Sequence, residues 1–315
     1  MALSDLQVFN EWAYSSMSET VAQQVELFNA ASQGAIVLRT SANTGDFSDV
    51  AMWAKISGLV RRRDAYGSGV VAGTPLAQLL NTSVKVAAGT PPVNIDPGML
   101  TWIQKNPEEA GVVFGEQLAG DTLQDMLNAA IAAYVAGIGA VADLNFDGTA
   151  GTATLSSLNS TAAKMGDRSQ EIVAWVMHSK SLTDIYGQAL TNTENLFNFG
   201  TVNVIQDGFG RPLIQTDSPN LNVTTTYYQM GVVAGGVVVE QNNDFNQNVE
   251  TSNGDENILS TLQAEWSYNL GIKGLTWDKA NGGASPSDAA LATGTNWDKT
   301  ATSIKDCAGV LGATL

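Results

Sequence analysis

The sequence predicts a mixed α+β fold laid along one long helix, and three observations carry that reading. A helical segment runs from Asn106-Pro107-Glu108-Glu109 to about Val141 and is more regular than anything else in the chain. Before it lies a long extended stretch, rich in small residues, that could not fold alone. After it come short strands, turns and a tryptophan-bearing run. That order suits a tile in a larger wall better than a free-standing catalyst.

The chain has 315 residues, of which 44% are hydrophobic and 15% charged. It is long enough for one large domain or two modest ones around a sizeable core. The scarcity of charge fits a protein that hides surface against neighbours, although Ser, Thr, Asn and Gln can also keep a surface wet. Thirty-one acidic residues against 15 basic ones give a formal net charge of −16. Such a chain repels nucleic acid as a whole, because DNA affinity comes mainly from Lys and Arg on phosphates. The one dense basic run, Arg61-Arg62-Arg63, has two readings: a solvated turn, or a contact to an acidic neighbour through bidentate Arg–carboxylate pairs. A single cysteine, Cys307, excludes an internal disulfide and points to a reducing compartment. No apolar run reaches the ~18 residues of a membrane span. The start, Met1-Ala2-Leu3-Ser4-Asp5, lacks the basic and apolar regions of a signal peptide, so the expectation is a product made in a cytoplasm.

Each element has its own signal. Over residues 4–31, Leu6, Phe9, Trp12 and Ala13, then Val21, Val25, Leu27 and Phe28, recur at helical spacing, with room for one break. Ile36-Val37-Leu38 reads as a strand. Phe47, Val50, Met52, Trp53 and Ile56 suggest a second, irregular one, and Val84-Lys85-Val86 a third. Between them Gly67 and Gly69 break regular structure. An extended hairpin of this kind is marginal alone and needs a surface to lie against. The long helix has an N-cap type at Asn106, Pro107 at its first position and two acids at the positive end of its dipole. Thirty-six residues would span roughly 54 Å. Its glycines and alanines allow other backbones to approach closely, or mark a break.

Asp143-Leu144-Asn145-Phe146-Asp147-Gly148 resembles the opening of a calcium loop, but the twelfth position is Thr154 where a bidentate Glu is needed, so a turn is the better reading. Leu155–Met165 is a short helix closed by Gly166. Ile172–Met177 is a buried strand and Ser181–Leu190 a helix. Val202–Ile205 and Leu213-Ile214 flank an Asp207-Gly208 hairpin signal. Tyr227–Val233 and Gly236–Val239 make another pair of strands. Ile258 to Asp278 reads as one long strand, 281–297 as a linker or loop, and 298–313 as a final short helix.

No constellation for catalysis stands out. His178 and Ser179 are adjacent without a nucleophile elbow, and the plainer reading is a histidine that ends a strand and bonds backbone. Cys307 has no second histidine to pair with. No phosphate-binding glycine loop is present, and Gly208-Phe209-Gly210 belongs to the hairpin. No catalytic residue, cofactor or metal is expected.

The order of parts resembles a tailed-bacteriophage major capsid protein of the Hong Kong 97-type fold, over nearly the full length. An amphipathic start leads into the extended region and Asn94-Ile95-Asp96-Pro97 ahead of the long helix. Leu158–Met165 is followed by Ala174-Trp175-Val176-Met177-His178-Ser179 and Leu182-Thr183-Asp184-Ile185. Gly210-Arg211-Pro212-Leu213-Ile214-Gln215-Thr216-Asp217 is similar to the family's "Gly-Arg-x-Val-Ile-x-x-Asp" strand, and Leu270–Trp277 to its late "Gly-x-x-x-x-x-Trp" strand. The resemblance implies an N-terminal arm (1–39), an extended β-hairpin loop (40–92), a peripheral domain with the spine helix (93–143 and 244–280), an axial domain (144–243) and a C-terminal segment (281–315).

It also implies hexamers and pentamers that close into an icosahedral head around double-stranded DNA, assembled in a bacterial cytoplasm. Separate scaffolding and portal proteins, and decoration proteins, are the implied partners, with no membrane and no specific DNA binding. Trp53, Lys55, Arg61, Arg62, Arg63 and Tyr66 of the loop are the implied inter-subunit contacts. Neither Lys55 nor Lys85 matches the family's loop cross-link, so none is expected. The alternatives are an encapsulin-type nanocompartment shell, told apart by protein cargo, and a soluble hydrolase, told apart by a pocket of converging acids.

Overall fold

The structure is a computed structural model that describes residues 3–41, 43–53, 60–187, 194–199, 202–206, 211–253 and 259–315. The chain opens with helix α1 (Leu3–Ala31), strands β1 (Ile36–Ser41), β2 (Phe47–Trp53), β3 (Gln78–Gly89) and β4 (Val93–Ile95), and helices α2 (Pro97–Lys105) and α3 (Pro107–Gly139). Then follow β5 (Asn145–Gly148), α4 (Leu155–Ala162), β6 (Ile172–Met177), α5 (Ser179–Gly187), β7 (Glu194–Phe199), β8 (Val202–Gln206) and β9 (Pro212–Thr216). The remainder is β10 (Asn222–Val223), β11 (Thr226–Val233), β12 (Val237–Asn242), β13 (Asn246–Ser252), β14 (Leu259–Ile272), β15 (Leu275–Trp277), α6 (Asp288–Leu291), β16 (Trp297–Lys299) and β17 (Gly309–Thr314).

Two sheets share the long helix. The first has seven strands in the order β1-β12-β14-β3-β2, with β13 and β4 also paired to β14. The second has eight, in the order β5-β17-β11-β6-β9-β8-β7, with β10 on β11. One continuous core draws on both: Leu123, Met126, Ile131, Tyr134 and Ile138 of α3 meet Val84, Val239 and Leu270 from the first sheet and Trp175, Met230 and Val310 from the second. Helix α3 is unbroken over 33 residues, about 50 Å at 1.5 Å per residue. Its small residues are sites of close approach. A Cβ on Gly111 would stand 2.7 Å from the Phe9 carbonyl oxygen, and one on Gly115 2.5 Å from that of Ala13, so α1 lies directly against α3 there. Further along, a Cβ on Gly137 would meet Leu275 at 2.6 Å. Tyr134 sits in the middle, its hydroxyl 2.9 Å from the Gly231 carbonyl and 3.2 Å from that of Val310, tying the helix to the second sheet. Complete burial pushes this phenol well above its ordinary pKa and keeps it a donor.

The N-terminal helix is one piece, with Leu6, Phe9, Ala13, Met17, Val21 and Phe28 buried. Trp12 and Leu27, expected in the buried stripe, are exposed. Its end is fixed by Asn29, whose side-chain amide donates to the Leu38 carbonyl at 2.6 Å and whose oxygen accepts from the Leu38 N–H at 2.9 Å. The side chain thus imitates a neighbouring strand and sets where β1 begins.

Several expectations need correction. Residues 309–314 are not helical. They form β17, a central strand between β5 and β11. A strand buried on both faces loses the polar–apolar alternation that would announce it, and Gly309 and Gly312 disfavour a helix. The 281–297 segment is no linker: it holds α6 and buries Leu291, and Trp297 packs edge-on to Trp277 at 4.9 Å. The long late strand is broken. Gly274 at φ +80° turns the chain between β14 and β15. Residues 145–148 form a parallel strand on β17 rather than a turn, with Asp147 folded back onto the Thr149 hydroxyl at 2.6 Å. Strands β11 and β12 do not pair with each other. Gly235, at φ +63°, sends them into different sheets. Asn106 precedes the long helix, but its side chain donates to Glu109 rather than capping the backbone. The Ala163–Glu171 segment after α4 is a 3-10 helix kinked at Gly166. Ile56 and the Asp207–Gly210 turn lie outside the described residues.

Candidate assembly interface

The β2–β3 hairpin is held at its base and free at its tip. The two strands are antiparallel from Phe47↔Val84 to Trp53↔Gln78. On its other edge β3 pairs with β14, from Val84↔Leu270 to Gly89↔Glu265. Val84 and Val86 enter the main core, so the hairpin borrows a core it could not build. A polar clamp reinforces this base. Asp49 accepts from the Thr82 hydroxyl at 2.7 Å and pairs with Lys279 at 2.7 Å, while Thr82 N–H donates to the Thr276 hydroxyl at 2.9 Å. The Lys279 ammonium also sits 5.1 Å from the Phe47 ring centroid. Bonds from Lys279, then from Thr82, hold the Asp49 carboxyl below its ordinary pKa.

Past the clamp the described side chains turn to solvent. Val50 and Leu80 are exposed, and residues 61–77 carry no regular structure. Trp53 is 64% exposed and Tyr66 fully so. Arg61, Arg62 and Arg63 are all exposed, and their one visible bond among the described residues is Arg61 to the Arg62 carbonyl at 3.4 Å. Lys55 lies outside the described residues. Five of the six sequence-predicted contact residues are described, and all five are exposed, from Trp53 at the end of β2 to Tyr66 ahead of β3. Sequence reasoning missed the apolar residues around them: Val60, Val70 and Leu76 are also largely exposed. The signal was present as large apolar residues in a stretch with no partners in sequence. The clamp residues Asp49, Thr82, Thr276 and Lys279 were also missed, because they converge only through tertiary pairing.

The other residues considered for chemistry have structural roles. His178 Nδ1 accepts from the Lys180 N–H at 3.1 Å, and Asp217 accepts from the Ser179 N–H at 3.1 Å, so both serve the first turn of α5. Burial opposes ionisation of Asp217, but bonds from Ser179 and the nearby His178 outweigh it and leave the carboxyl below its usual pKa. Cys307 is buried, which pushes its thiol up, away from the reactive thiolate. Four surface cavities among the described residues hold at most one carboxylate each: Glu240 in one and Asp147 in another. No described helix is long and apolar enough to cross a membrane.

Residues 5–311 match the Gp13-like family, described as "Major capsid protein 13-like". No curated protein matches the chain. Among solved structures, the chain is similar to the capsid asymmetric unit of cyanophage Pam1, at 11% identity and TM-score 0.49, over 86% of this chain and 85% of that one. It is similar to the head structure of Helicobacter pylori bacteriophage KHP40, at 9% identity and TM-score 0.48, over 90% and 88%. It is also similar to the SrpI encapsulin complex of Synechococcus elongatus PCC 7942, at 11% identity and TM-score 0.48, over 88% and 84%. The family match runs from within the first helix into the central strand β17, so the chain belongs to the Gp13-like major capsid protein family and is a shell subunit of the phage virion.

Proposed function

We propose that copies of this chain form hexamers and pentamers that close into an icosahedral head around double-stranded DNA, each reaching over its neighbour with the β2–β3 hairpin. The observation that carries this is the hairpin itself: a clamped base, and beyond it a described segment whose aromatic, aliphatic and arginine side chains are exposed. In this reading the loop is 40–92 and the arm is 1–39. The peripheral domain is 93–143 with 244–280, and the axial domain is 144–243. The 281–315 segment closes both, through β16 on β15 and β17 in the larger sheet. The subunit does no chemistry and needs no cofactor. Scaffolding, portal and decoration proteins would be its partners in building the head.

The net charge of −16 fits a container that must not grip its contents. DNA has to slide during packaging and leave on ejection, and each added phosphate contact would raise affinity. The test is the content of particles purified from a phage lysate and treated with nuclease. The proposal predicts protected double-stranded DNA. Shells filled with a cargo protein and no nucleic acid would assign the chain to the encapsulin alternative.

A further inference from the structure

The second sheet carries a cavity that the shell reading does not use. It has a volume of about 440 Å³ and lies between helix α4 and the sheet at β6 and β9. Its origin is the way one large side chain leans. In the sheet, Trp175 of β6 has Leu213 of β9 on one side and Gly231 of β11 on the other. A Cβ on Gly231 would stand 2.8 Å from the Trp175 ring, so the indole lies over the glycine, where there is room for it. The space between the indole, Leu213 and α4 stays open. Helix α4 lines it with Leu158 and Ala162, both buried, and with Leu155, which is exposed in the first turn.

Arg211, the residue before β9, enters the same lining. It is half-buried, and among the described residues it has no carboxylate and no hydrogen-bond partner. The other arginines of the folded body are paired, Arg39 with Glu240 and Arg168 with Asp306. Acids outnumber bases 31 to 15, yet none lines this cavity. A guanidinium stays charged even when partly withdrawn from water, and its fork of donors suits a carboxylate. The other polar side chain in the lining, Asn159, makes no hydrogen bond of its own among the described residues. An apolar cavity with an unpaired cation and an amide in its wall selects a ligand with an apolar body and an anionic head.

We propose that this cavity binds a medium-chain aliphatic carboxylate, with its head group on Arg211 and Asn159 and its chain along Leu158, Trp175 and Leu213. The volume decides the source of the carboxylate. An Asp or Glu reaching in from another chain has too short a stem to fill the space, whereas each further methylene of a free acid buries more apolar surface. Every lining residue comes from one subunit, so the site stands apart from the shell reading.

The test is isothermal titration calorimetry of the full chain with sodium octanoate, held below the concentration at which it forms micelles. The proposal predicts saturable binding at one site per chain. Octylammonium, with the same chain and the opposite charge, does not compete for it. Arg211→Gln weakens octanoate by about tenfold or more, with circular dichroism unchanged. Arg211→Lys, which keeps the charge and loses the fork, falls between the two. Absence of saturable binding to the parent chain would overturn the proposal, as would equal affinity for octanoate and octylammonium. Undiminished octanoate binding by a folded Arg211→Gln chain would overturn it too. If that variant does not fold, the comparison of the two ligands on the parent chain decides alone.

Discussion

At the scale of single residues, the fold depends on places where a side chain is excluded. Gly115 is the clearest, because the atom a Cβ would strike is the backbone oxygen of Ala13 and cannot swing aside. Gly98, in α2, has nothing within 4 Å of its would-be Cβ. Helix propensity favours alanine over glycine by about 1 kcal/mol at either site. Gly98→Ala is therefore expected to be neutral or to stabilise by up to about 1 kcal/mol. Gly115→Ala is expected to destabilise by about 1–3 kcal/mol, since α1 must shift off α3. Denaturant unfolding of the two variants checks the difference, and a common sign would refute the close-packing argument. The sequence announced these glycines only as a surplus of small residues in a helix. Whether they marked a break or a contact depended on α1, about a hundred residues away.

At the scale of elements, the hairpin is a lever with an electrostatic hinge pin. Asp49 has its pKa lowered by Lys279 and Thr82. A lowered carboxylate adds stability that is fully present above its unfolded pKa of about 3.9 and is lost as pH falls through the lower folded value. Lys279→Ala removes most of that contribution. The expected outcome is a smaller difference in hairpin protection between pH 7 and pH 3 in the variant, read by hydrogen exchange over β2 and β3. An unchanged difference would show that the clamp does not hold the hairpin. Most elements were legible from pattern alone: the long helix from its start signals, β6 from its apolar run, the β8–β9 pair from the Asp207-Gly208 signal between its strands. β17 was not, because a strand enclosed on both sides looks like any short apolar run. The α6–β16 region was hidden because Leu291 and Trp297 sit among Gly, Ala, Ser and Thr that read as solvent-facing.

At the scale of the whole molecule, two large sheets pack on one 33-residue helix. Its function was legible in the sequence from the order of parts. The detail of the interface was not, because a partner surface on another copy leaves no mark along one chain. The arginine run and Tyr66 could be named from sequence. The central claim is that this chain is a tile that tiles. Negative-stain electron microscopy of the concentrated, purified protein tests it most directly. The account predicts closed shells, tubes or capsomers; a monomeric globule under every condition tried would contradict it.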